Sequence, residues 1–180
     1  DSVGNIGPYA ASDGFGVDQT DPVAGNVYDG ATGEPEIEWT NNTRSVTANW
    51  AGFTDTYSGI DFYEYAIGTP TSDVGVVSWT AVDTNLTILH DSLSLVNGVH
   101  YHISVRATDG VGNASLIARS NGFTIDTDDA VITSIIEGDQ TVDWDYQHTD
   151  TSIILAWLGT DAASGVASYE YAVGTHPDSI

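Results

Sequence analysis

Apolar and polar residues alternate at every second position along most of this chain, and no long stretch carries the period of an amphipathic helix. In RSVTANW, residues 44–50, Val46, Ala48 and Trp50 fall on one face of an extended strand. DFYEYAI, residues 61–67, groups Tyr63, Tyr65 and Ile67 in the same way. VVSWTAV, LTILHDSLSL, YHISVRA and GFTID supply further short segments rich in β-branched and aromatic residues. The sequences SG, GTPTSDVG, VNG and DGVGN separate them as turns. About seven short strands in this span predict an all-β fold, an antiparallel sandwich of two sheets.

The pattern is written more than once. SGIDFYEYAIGT at 58–69 returns as SGVASYEYAVGT at 164–175, an offset of 106. DSVGN at 1–5 returns as DGVGN at 109–113, an offset of 108, and Trp50 matches Trp157 at an offset of 107. One-residue changes in loop length account for that drift. The boundaries that follow are a last strand and linker at 1–21, a complete repeat at 22–128, and the first half of another at 129–180. Within the second copy, Trp157, Tyr169 and Tyr171 take the core positions of Trp50, Tyr63 and Tyr65. No counterpart of residues 75–128 follows, so a segment of a longer tandem polypeptide is the expected context.

Trp50 on the second strand, Tyr63 and Tyr65 on the third, and LVNGVHY before the sixth resemble a fibronectin type III domain. The resemblance implies a tyrosine corner built by Leu95, Gly98 and Tyr101, with the phenol packed inside and its hydroxyl bonded to nearby backbone. The family's usual proline before that glycine is Asn97 here. RATDGVGN followed by GFTIDTDDA is also similar to tandem repeats of large bacterial surface and secreted proteins. These likenesses imply tandem seven-stranded sandwiches joined head to tail, in an extracellular or cell-surface setting.

Charge narrows the partners. Asp and Glu number 26 against three basic side chains, Arg44, Arg106 and Arg119, for a net charge of -23. Such a surface repels nucleic acid phosphates and anionic lipid. No apolar run approaches the ~20 residues that cross a bilayer, so no direct membrane insertion is expected. No signal-peptide pattern is visible at Asp1, which leaves a processed leader open. Cysteine is absent, which removes disulfides and thiol chemistry without identifying a compartment.

Catalytic signatures are missing: no nucleophile elbow, phosphate loop, zinc-protease or EF-hand pattern occurs. The expectation is therefore a chain that is not an enzyme. His100 and His102 share one strand face, opposite Tyr101 and Ile103, and are expected to face solvent. Trp79 and Phe62 leave a sugar-stacking surface open, and Asn41, Asn85 and Asn113 sit in glycosylation acceptor triplets.

The linker acids carry the sharpest expectation. In a fibronectin-like sandwich, Asp18 and Asp21 approach Asp55 and Asp109, and Asp126, Asp128 and Asp129 gather near Asp161. Calcium takes roughly six to eight oxygens, so such joints could hold it and stiffen the hinge. Ordinary solvation of an acidic linker is the other reading. No cofactor is required, and calcium is the one candidate ion. The function expected is a structural stalk or adhesin segment whose partners are neighbouring repeats, with surface glycans or other cells as further candidates. The alternatives are a subunit of an ordered extracellular filament, or a polysaccharide-binding or spacer module of a secreted hydrolase.

Overall fold

The computed structural model describes residues 2–139, 142–146, 148 and 151–174. Its described elements are all strands. The first sheet joins β1 (Asn26–Asp29), β3 (Val46–Ala51) and β6 (Thr87–His90), antiparallel throughout. The second runs β2–β9–β7–β4–β5, where β2 is Trp39–Thr40, β4 Ile60–Thr69, β5 Ser72–Ala81, β7 His100–Asp109 and β9 Phe123–Ile125. A short β8 (Ala118–Arg119) also pairs with β7, and β2 lies parallel to β9.

The two sheets share one core, as a sandwich does. Alternation puts Val46, Ala48 and Trp50 of β3 inside with Val27 and Ile88. Tyr63, Tyr65 and Ile67 of β4 meet them from the opposite sheet with Tyr101, Ile103, Val105 and Phe123. The Trp50 and Tyr63 rings are tilted with centroids 5.8 Å apart, and Phe53 meets Tyr63 edge-on at 5.5 Å. Burying these rings away from water is the main stabilising term.

Two elements differ from their sequence patterns. GTPTSDVG reads as a broad turn, yet β4 continues to Thr69 and β5 begins at Ser72, leaving only Pro70 and Thr71 between them. Only the first part of LTILHDSLSL is strand; beyond His90 the chain bends so that Leu93 and Leu95 donate their N–H groups to Arg44 and Thr43 carbonyls. The corner after it has the expected geometry. Tyr101 is buried, its hydroxyl accepts the Val96 N–H at 3.0 Å, and Gly98 turns the chain at a φ of 75° that suits glycine.

A third sheet follows, with β10 (Val131–Asp139) between β11 (Val142–Asp143) and β12 (Leu155–Thr160). The pairing of β10 with β12 copies that of β1 with β3: Val27 lies opposite Trp50, and Ile135 lies opposite Trp157. The expectation that Trp157, Tyr169 and Tyr171 occupy a core is corrected, however. They cluster with one another, Trp157 against Tyr171 at 5.7 Å, but remain open to solvent, and residues 166–174 form no strand. The strands that cover Trp50 belong to residues 60–125, and the chain contains no second copy of residues 75–128 to complete such a cover.

Candidate functional site

The chemistry of the linkers begins with backbone donors. Asp55 opens the loop between β3 and β4, and its Oδ1 accepts the N–H groups of Tyr57, Ser58 and Gly59 at 3.1, 2.9 and 2.7 Å. Gly59 closes the loop at a φ of 73°. The loop then faces the preceding linker, where the Ser58 N–H and Oγ both donate to Asp18 Oδ2 at 3.1 and 2.7 Å. Asp18 Oδ1 accepts the Thr20 N–H at 3.0 Å. From the loop after β7, Asp109 Oδ1 accepts Val111 and Asn113 N–H groups, and Asn113 Nδ2 donates to Asp109 Oδ2.

This arrangement brings Asp18, Asp55 and Asp109 together, with one carboxylate oxygen of each lying within 4.8 Å of the others. Hydrogen bonds from Ser58 and Thr20 hold the Asp18 carboxyl below its usual range. Burial works to raise Asp109, but the Asn113 and Val111 donors outweigh it and hold that carboxyl low as well. Asp55 Oδ2 is buried without a hydrogen-bond partner. Carboxylate oxygens are ligands of the kind a hard cation such as calcium takes, and the cluster offers three of the roughly six to eight that calcium gathers. Asp21 is exposed and stands outside the cluster.

The second joint repeats the first. Asp161 Oδ1 accepts the N–H groups of Ala163 and Gly165 at 3.1 and 2.7 Å, and Gly165 has a φ of 82°. Ser164 N–H donates to Asp126 Oδ2 at 3.0 Å, while Asp126 Oδ1 accepts the Asp128 N–H at 3.0 Å. The Ser164 and Asp128 donors keep the Asp126 carboxyl below its usual value. A cleft of about 380 Å³ opens beside them, lined by Trp39, Thr40, Asn41, the 126–129 linker, Ser164, Gly165 and Ala167. Asp128 and Asp129 both border this cleft, and Asp128 Oδ2 also accepts the Asn97 Nδ2 amide. Asp126, Asp128, Asp129 and Asp161 form no three-carboxylate cluster among the described residues.

Other candidates sit elsewhere. His102 is not solvent-facing: it is buried, with Nε2 2.8 Å from Asp73 Oδ1. Asp73 also receives Ser104 Oγ at 3.0 Å and a two-point contact from Arg119 at 2.7 and 2.6 Å. The Arg119 guanidinium foremost, with His102 and Ser104, holds the Asp73 carboxyl far below the carboxylate range. This network roofs the outer face where Ala66 and Ser104 lie cross-strand, and strand alternation alone gives no sign of it. His100 bonds to Thr124 Oγ1 and the Asn121 carbonyl.

Trp79 is half-buried under the Arg106 guanidinium, 4.6 Å from the ring centroid, and Arg106 also pairs with Glu64 at 2.7 Å. Phe62 is half-buried too. Asn41 and Asn85 are exposed, while Asn113 is engaged with Asp109. No protein-family model matches the chain, and no curated protein matches it either.

Proposed function

We propose that this chain is a structural, non-catalytic segment of an extracellular stalk or adhesin, built from fibronectin type III-like sandwiches joined head to tail. The observation that carries this reading is the recurrence of the joint. Asp18 meets Ser58 and Asp126 meets Ser164 with the same partners at nearly the same distances, one sequence repeat apart. A joint that recurs with the repeat is a feature of the string rather than of one module. The acidic surface keeps neighbouring strings apart while the joints hold each one together.

Immunogold labelling of intact cells, with antibody against residues 22–128, tests the proposal. Labelled single strands projecting from the surface are the expected outcome. Uniform fibres would move the reading to a filament subunit, and label confined to the cell interior would overturn it.

The Asp18–Asp55–Asp109 cluster is where calcium would bind in this reading. Replacing Asp55 by Asn would place a donor toward the neighbouring carboxylates. If the ion binds, calcium should raise the melting temperature of the unaltered chain and of Asp55→Asn much less. A midpoint indifferent to chelator would remove the ion from the proposal.

A further inference from the structure

The linker between the two sequence copies runs from Asp126 to Ala130, between the end of β9 and the start of β10. Its composition, Asp-Thr-Asp-Asp-Ala, is that of a solvated and mobile segment. Its hydrogen bonds are not. From the first copy, Asp126 N–H donates to the Thr40 carbonyl at 2.9 Å, and Thr127 N–H donates to Asn97 Oδ1 at 2.9 Å. Asn97 Nδ2 returns a bond to Asp128 Oδ2 at 3.0 Å. From the second copy, Ser164 N–H reaches Asp126 Oδ2. Asp126 is buried between the two.

We propose that the loop of Asp161–Gly165, like its counterpart at Asp55–Gly59, is a docking site for the aspartate that ends the preceding repeat. Asn97 completes the grip from the other side, so that consecutive repeats keep one fixed mutual orientation. The partner is a second copy of the repeat unit, and its recognition element is the carboxylate of Asp126 or Asp18.

The chemistry is specific. The loop's own aspartate folds the backbone so that the serine N–H points outward, and a short carboxylate held by the incoming linker accepts it. At the first joint the Ser58 hydroxyl adds a second bond to the same oxygen, and Asn113 Nδ2 approaches the Thr20 carbonyl at 3.4 Å. Asn97 is suited to its position because its amide both donates and accepts, matching one N–H and one carboxylate of the linker. A proline there could do neither. Stiffness is thereby written into the protein's own hydrogen bonds.

The clamp deepens the stalk reading and rests on it for its use, but its geometry is tested separately. The chain has no cysteine, so Ser78→Cys with Ser134→Cys gives a single nitroxide pair spanning the joint. Pulsed dipolar spectroscopy on the full chain should return one narrow distance. Asn97→Ala and Asp126→Ala should each replace it with a broad distribution. A second pair inside the first copy, Ser78→Cys with Glu38→Cys, should stay narrow and so report an intact sandwich.

Thr127→Pro removes one linker donor without touching either body, and it decides the matter if Asn97→Ala fails to fold. A distribution already broad in the unaltered background would sink the clamp while leaving a flexible stalk standing. So would a narrow one that survives all three substitutions.

Discussion

Trp50 and Trp157 occupy the same place in two copies of one sequence, opposite Val27 and Ile135 in matching strand pairs. Trp50 is 2% exposed and Trp157 is 37% exposed. The contrast widens along the next segment, where Tyr65 is 5% exposed and its counterpart Tyr171 is 70% exposed. Local pattern and register are therefore not what makes the core. A half-sandwich can pair its first strands correctly and still have little to bury its apolar face against, because β7 and β9 of the cover come from the later half of the repeat and the counterpart of β4, residues 166–174, forms no strand.

The strongest way to break this comparison is to supply the cover. A chain extended after Ile180 by a second copy of residues 75–128 should protect Trp157 from acrylamide quenching to the level of Trp50. It should also add a second cooperative unfolding transition, on the order of 5 kcal/mol. If Trp157 stays open in that longer chain, the two copies are not equivalent.

Next in size is truncation of the two tryptophans. Trp50→Ala empties the centre of a packed core and should cost about 3–5 kcal/mol in urea unfolding. Trp157→Ala should leave that same transition unchanged.

A smaller effect sharpens the picture within the first copy. Asp73→Asn removes the charge that gathers Arg119, His102 and Ser104, and should cost about 1–2 kcal/mol, limited by the exposure of Arg119. Because the folded carboxyl lies below its ordinary value, the unfolded chain takes up its proton first as acid is added. The contribution is thus full above the usual carboxylate range and fades as pH falls through the folded value. Acid unfolding of Asp73→Asn should be correspondingly less steep than that of the parent.

Much of this was legible in the residues. The alternation in RSVTANW and DFYEYAI placed Trp50, Tyr63 and Tyr65 inward, and self-alignment located the copies. The fibronectin-like resemblance implied that Asp18 and Asp21 approach Asp55 and Asp109; Asp18 lies with those two, while Asp21 stands outside the cluster. What stayed hidden depended on contacts between segments distant in sequence. Asp73 sits in a stretch that reads as turn, yet the tight hairpin carries it to Arg119, 46 residues away. His102 obeyed alternation and was still buried, because that network covers the outer face. Asn97 looked like a departure from a family pattern, and its two linker bonds appear only when both segments are folded.

The placement of the few cationic side chains has a consequence for durability. With no lysine in the chain, an enzyme that cuts after basic residues has only Arg44, Arg106 and Arg119 to attack. Arg106 lies within the long central strand β7, and Arg119 is fastened to Asp73. Only the peptide bond after Arg44 sits in an exposed turn, and Asn42 Oδ1 ties both flanking N–H groups there at 2.9 and 3.1 Å. A folded repeat of this kind meets trypsin-like digestion with almost nowhere to be cut.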